Sequence, residues 1–161
     1  MRVLCCLDGA NVEQISRATA MLSTGESLTL ALLYVIDSGS REEIGRTRER
    51  FFRRPGAPAA RSQEIRQAEA GAAREILEEG VHYFPGAETL ERQGRPEREI
   101  VNAAAEWRAD LVMINARAEY GQKPVIGPKS VGHVARFVLD HAPCPVLLVR
   151  PLSREDFPIP K

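Results

Sequence analysis

The sequence lacks an excess of charge of either sign, since lysine plus arginine and aspartate plus glutamate each number 22 in 161 residues. With no net charge to draw the chain toward nucleic acid or a lipid surface, any basic site has to be local. A long apolar run is also missing. No stretch approaches the roughly 18 consecutive apolar residues of a membrane span, and the opening Met1-Arg2-Val3-Leu4-Cys5-Cys6-Leu7-Asp8 is too short for a signal peptide. The expectation is a cytoplasmic protein with neither nucleic acid nor membrane as a partner. Cysteine is scarce, at three residues. Cys5 and Cys6 are neighbours on an expected strand and so point to opposite faces, while Cys144 sits between two prolines. This is neither a zinc spacing nor a disulfide framework, so the thiols are expected to act as small buried hydrophobes. His82, His133 and His141 form no ligand cluster in sequence, which argues against a metal site.

What is present is a regular alternation. Residues 3–7 are an apolar run stopped by Asp8-Gly9, and residues 12–22 carry apolar side chains at helical spacing, with Asn11 placed to cap them. Ser23-Thr24-Gly25-Glu26 breaks that helix, and residues 28–36 are almost continuously apolar, as in a parallel strand covered on both faces. Asp37-Ser38-Gly39-Ser40 ends the strand, and a polar stretch centred on Arg53-Arg54-Pro55-Gly56-Ala57-Pro58 follows. It predicts a flexible surface insert over about residues 41–64. Its arginines, including Arg41, Arg46, Arg48 and Arg50, are interleaved with Glu42, Glu43 and Glu49, which favours a solvated face over an anion site. A helix over 65–79 stopped at Gly80, a strand over 87–93, a turn at Gly94-Arg95-Pro96 and a helix over 97–108 come next. A strand over 111–114, a long loop from Asn115, a last helix and a strand over 146–149 complete the chain.

Five strands alternating with four helical segments predict an α/β fold: an open five-stranded parallel sheet, Rossmann-like, with helices on both faces. Long loops after parallel strands are where such sheets bind ligands. Gly127-Pro128-Lys129-Ser130-Val131-Gly132-His133 then runs into the last helix, and a small-residue loop at a helix N-terminus suits a phosphate.

Three segments together carry a resemblance. These are Val3-Leu4-Cys5-Cys6-Leu7-Asp8-Gly9-Ala10 at the first turn, Leu33-Tyr34-Val35-Ile36-Asp37 in the second strand, and His141-Ala142-Pro143-Cys144-Pro145-Val146-Leu147-Leu148-Val149-Arg150 near the end. On these the chain resembles the universal stress protein family over roughly residues 1–151, taken as one domain with 152–161 as a tail. Glu88-Thr89-Leu90-Glu91-Arg92-Gln93-Gly94-Arg95-Pro96 and Ala109-Asp110-Leu111-Val112-Met113 add support. The resemblance implies the adenine-nucleotide alpha hydrolase-like fold, usually a homodimer, with some members holding ATP or AMP and others holding none. It further implies that Asp8 and the main chain of Val35 hold the adenosine part. Asp8 has an alternative role as a turn residue bonding its own backbone.

The family's phosphate loop, Gly-x-x-Gly, nine residues, then Gly-Ser or Gly-Thr, is not matched. Asn115 and Ala118 stand where the first two glycines would be, 13 residues separate Ala118 from Gly132, and His133 replaces the hydroxyl residue. Were Ala118 held in a left-handed conformation, it would cost roughly 1–2 kcal/mol. Compensation is available from Gly127, from Lys129 as a point charge, from Ser130 as a helix cap or phosphate donor, and from Gly132. Arg117 either forks onto a phosphate or pairs with Glu119, and His133 and Val134 offer main-chain N–H groups. His141 is expected to favour the last helix's dipole or to pack in the core.

The expected function is a sensor or regulator in the stress response that binds ATP, ADP or AMP, with Mg2+ accompanying ATP. No residue set for hydrolysis is evident, so slow ATP turnover is the most that is expected. The alternative is a nucleotide-free dimeric interaction protein of the same fold that has lost the phosphate motif. A nucleotidyl-transfer enzyme ranks low, because Asp8-Gly9-Ala10-Asn11 carries no histidine-rich motif. In either favoured case Pro145 to Arg150 is the dimer candidate, since an apolar strand at a sheet edge calls for cover, although placement in the centre of the sheet would also explain its composition.

Overall fold

The computed structural model describes residues 1–22, 27–38, 59–116 and 130–150. In chain order the elements are β1 (Arg2–Leu7), α1 (Val12–Leu22), β2 (Thr29–Asp37), α2 (Ala59–Tyr83), β3 (Glu88–Gly94), α3 (Pro96–Glu106), β4 (Leu111–Asn115), α4 (His133–His141) and β5 (Val146–Val149). All pairings are parallel, and the sheet order is β3-β2-β1-β4-β5. The chain therefore steps outward one way through β2 and β3, then returns to the other side of β1 for β4 and β5. The reversal lies between β1 and β4, and at such a switch point the strand ends splay apart to leave a crevice.

Period-two alternation divides the core between the two faces of the sheet. On one face Leu4, Cys6, Ala31 and Leu33 meet Ile100, Ala103 and Ala104 of α3 and Ala135 and Val138 of α4. On the other, Val3, Cys5, Leu7 and Leu32 meet Ile15 of α1 and Leu77 of α2. Cys5 and Cys6 thus lie on opposite faces, as adjacency on a strand requires. Burial pushes the Cys5 thiol up to about 11 against a hydrogen bond with Thr19 that lowers it. It pushes Cys6 higher still, and the neighbouring Cys5 adds to the rise.

Two expectations about α2 need correction. The helix does not stop at Gly80 but runs on to Tyr83. A Cβ at Gly80 would lie 2.8 Å from Leu32 Cδ1 and 2.9 Å from Leu7 Cδ1, so glycine marks a close approach of helix to sheet rather than a terminus. The helix also begins at Ala59, which takes residues 59–64 out of the expected insert; residues 41–58 lie outside the described residues.

The third strand is shifted by one residue from expectation, and α3 ends two residues early. The early end of α3 is caused by a left-handed residue at Arg108, with φ of 54°. Arg108 N–H donates to Ala105 O at 3.2 Å and Ala109 N–H to Ala104 O at 2.9 Å, the paired bonds of a Schellman stop. Trp107, next to that stop, donates its indole N–H to Glu88 Oε2 at 2.8 Å and carries the Arg2 guanidinium 4.1 Å above its ring. These contacts brace the end of the sheet remote from the crevice.

Candidate functional site

At the carboxyl ends of β1, β2 and β4 lies a crevice of about 500 Å3. Its geometry starts at the first turn. Gly9, with φ of 90°, lets the chain reverse directly after β1. Asp8 Oδ1 accepts from Ala10 N–H at 2.9 Å, which is the turn role foreseen as its alternative. Asp8 also lines the crevice, and its Oδ2 has no hydrogen-bond partner among the described residues. Asn11 is buried; its Oδ1 accepts from Asp8 N–H and its Nδ2 donates to Cys6 O, both at 3.0 Å. The expected side-chain cap on α1 is therefore not made. Only the Asn11 carbonyl serves the helix, accepting from Ile15 N–H at 3.0 Å, while the amide ties the turn back to β1.

β2 supplies Leu33, Tyr34 and Val35. Pairing with β1 ends at Leu7 opposite Tyr34, so beyond that point no strand covers the β1-facing side of β2 at Val35. Burial raises the Tyr34 pKa, and the charges of Asp8 and Glu69 raise it further, so the phenol stays a neutral donor. Pro96 and Ile100, from the first turns of α3, and Ile114 of β4 form an apolar wall.

Asn115 closes β4. Its Nδ2 donates to Gln14 Oε1 of α1, whereas its Oδ1 is buried and without a hydrogen-bond partner among the described residues. Also on the crevice, Gly132 immediately precedes α4 as its N-cap residue, with φ of 78° and no side-chain cap. The first helical bond runs from Arg136 N–H to Gly132 O at 3.1 Å. The N–H groups of His133, Val134 and Ala135 precede it and so have no intrahelical acceptor. All three residues line the crevice.

Of the residues singled out in the sequence, the structure brings Asp8, Val35, Asn115, Gly132, His133 and Val134 together. Ser130 is corrected. It is buried, its Oγ accepts from Arg150 Nη1 at 3.1 Å, and it neither caps α4 nor lines the crevice. Arg117, Ala118, Gly127 and Lys129 lie outside the described residues. Asn11, Tyr34, Pro96 and Ile100 were missed as lining residues. Tyr34 stood next to Val35 in the same segment, but Asn11 had given only a capping signal, and the α3 residues enter through tertiary packing alone.

Among the described lining residues Asp8 is the only carboxylate, and there is neither lysine nor arginine. No group of three or more His, Cys, Asp or Glu among the described residues is arranged to hold a metal. No described helix is long and apolar enough to cross a membrane. His141 is exposed rather than packed in the core, with Nδ1 2.9 Å from Phe137 O and its ring stacked on Phe137 at 3.9 Å.

Comparison with known proteins agrees with this architecture. The model of the universal stress protein family matches residues 1–150. A universal stress protein of Thermus aquaticus, described as lying in the QAH/OAS sulfhydrylase 3′ region, is 32% identical over 100 residues, which cover 62% of this chain and 68% of the relative. Among solved structures, the universal stress protein UspA from Lactobacillus plantarum superposes with a TM-score of 0.66 at 23% identity, covering 93% of this chain and 97% of that one. A family member from Arabidopsis thaliana with AMP bound gives 0.57 at 17% identity, covering 96% and 94%. At these identities the solved structures speak for the fold.

Proposed function

The chain belongs to the universal stress protein family, and from that premise we propose that the crevice binds an adenine nucleotide and that the protein acts as a nucleotide-responsive regulator in the stress response. One observation carries the proposal: the tips of β1, β2 and β4 and the uncapped start of α4 converge on a single half-apolar slot. Leu33, Ile100 and Ile114 offer apolar surface to a purine, and the main chain at Val35 offers hydrogen-bonding groups to its edge. The α4 N-terminus presents about half a positive charge, enough to favour one phosphate. The Arabidopsis relative with AMP bound supports this assignment. AMP, ADP and ATP are all candidates, Mg2+ entering only with ATP.

The functional unit in this proposal is a homodimer joined through β5. That strand pairs with β4 on one side only, its four residues are all apolar, and none is fully buried. An edge of this kind is a template for a second copy. Titration calorimetry with AMP, ADP and ATP tests the binding; absence of heat with all three sinks it. Light scattering across a concentration series tests the assembly, and a monomer at every concentration counts against it.

A further inference from the structure

Arg150 directly follows β5, and its Nη1 donates to Ser130 Oγ at 3.1 Å. Ser130 is 4% exposed and stands two residues before Gly132, the N-cap of α4. Between described residues, this is the one hydrogen bond that ties residues 130–132 to another element. The remaining hold on the segment is apolar packing of Val131 against the core on that face of the sheet. The residue before Arg150 does the same for β4: Val149 O accepts from Ala116 N–H at 2.8 Å, and Ala116 lines the crevice. The carboxyl end of β5 therefore fixes both the exit of β4 and the entry to α4.

Arg150 itself does not line the crevice, so its contact bears on a ligand through Ser130. The N–H groups of His133, Val134 and Ala135 follow directly on Gly132, and where they point depends on where residues 130–132 are held. Gly132 brings no side-chain cap to restrain them. A shift of about 1 Å takes an N–H···O contact out of hydrogen-bonding range. A guanidinium near the amino end of a helix also faces the positive end of its dipole, a pairing that becomes favourable only when an anion joins it.

We infer that Arg150 is a positioning residue for the crevice: by binding Ser130 it holds the amino end of α4 where its free N–H groups receive the anionic part of the ligand. The inference rests on the nucleotide assignment above and extends it to two residues outside the crevice. Losing one such hydrogen bond is worth about threefold to tenfold in affinity, and the loss falls on the phosphate and not on the nucleoside.

The test is calorimetry of the wild type, Arg150→Ala, Ser130→Ala and the double variant, each with AMP and with adenosine. Both single variants should bind AMP about threefold to tenfold more weakly than the wild type, with adenosine within about twofold of wild type, which also reports an intact crevice. The double variant should be no weaker than either single one by more than about twofold, since one contact is removed in all three. Ser130→Ala leaves the guanidinium in place and lies outside β5, so it separates positioning from direct contact and from any change at the sheet edge. A loss of AMP affinity in Arg150→Ala alone overturns the inference and makes Arg150 a direct ligand or an assembly residue. Equal losses for AMP and adenosine overturn it in favour of a purely structural contact, and unchanged AMP affinity in both single variants overturns it outright; all three results leave the nucleotide assignment standing. A wild type that binds neither AMP nor adenosine overturns the assignment and the inference together.

Discussion

Gly71 and Gly80 sit in the same helix, and replacing each by alanine should raise stability at Gly71 but not at Gly80. Both positions are interior to α2, so both gain the intrinsic advantage of alanine over glycine, about 0.8–1.0 kcal/mol. At Gly71 nothing lies within 4 Å of the new methyl, and the whole gain should appear. At Gly80 the methyl arrives 2.8 Å and 2.9 Å from the Cδ1 atoms of Leu32 and Leu7, where carbon atoms prefer about 3.5–4.0 Å. Leu32 and Leu7 are buried in the cluster between the sheet and α1 and α2, so neither can swing into solvent. Overpacking of this kind costs about 1–3 kcal/mol, which leaves Gly80→Ala between neutral and about 2 kcal/mol less stable than wild type. The propensity terms cancel in the difference between the two variants, which isolates the packing penalty at about 1–3 kcal/mol. Urea unfolding of both, with m-values compared to exclude a change in the unfolded state, gives that difference directly. Equal stability within about 0.5 kcal/mol, the ordinary scatter for a neutral substitution, would refute the close approach of α2 to the sheet.

Arg108→Gly should raise stability by about 1 kcal/mol, because glycine adopts the left-handed stop of α3 without the penalty an L side chain meets there; an unchanged or lowered melting temperature contradicts the Schellman geometry. Trp107→Phe keeps most of the buried ring but loses the bond to Glu88 and weakens the Arg2 contact, for an expected loss of about 1–2 kcal/mol in denaturant unfolding. The raised thiol pKa values of Cys5 and Cys6 set an alkaline limit. Folded thiols hold their protons where unfolded ones have begun to lose them, so this contribution is intact below about pH 8.5 and falls as pH rises toward and through about 11. A Cys5→Ala/Cys6→Ala double variant should show a shallower loss over that window. In the native protein at pH 8, a thiol reagent should modify half-buried Cys144 first, all three thiols reacting at once only after denaturation.

Much of the fold was legible because β1, β2 and β4 lie inside the sheet and read as apolar runs, and because the helices between the strands keep their own period. The errors came where local chemistry and tertiary packing compete. Gly80 signals a stop in isolation, yet its lack of a side chain serves contact with Leu32 and Leu7. Nothing local marks Arg108 for a left-handed conformation; the paired bonds to Ala104 and Ala105 carry it. The site was half legible. Asp8, Val35, Asn115 and the start of α4 follow from parallel strands that deliver their ends to one edge. The loss of Ser130 to Arg150 depends on how the chain closes after β5, and no motif records it. Asn11 shows the same limit, since an asparagine before a helix has two uses and only the turn at Gly9 decides between them.

The most direct test of the nucleotide assignment is titration of the wild type and of Asp8→Ala with AMP, followed by calorimetry and in parallel by melting temperature. Binding to the folded state alone must raise stability, by about 2.7 kcal/mol at a ligand concentration one hundred times Kd. The account predicts saturable heat and a rising melting temperature for the wild type, with both weakened in Asp8→Ala. A wild type that gives no heat and melts at the same temperature with and without AMP, ADP or ATP would contradict it.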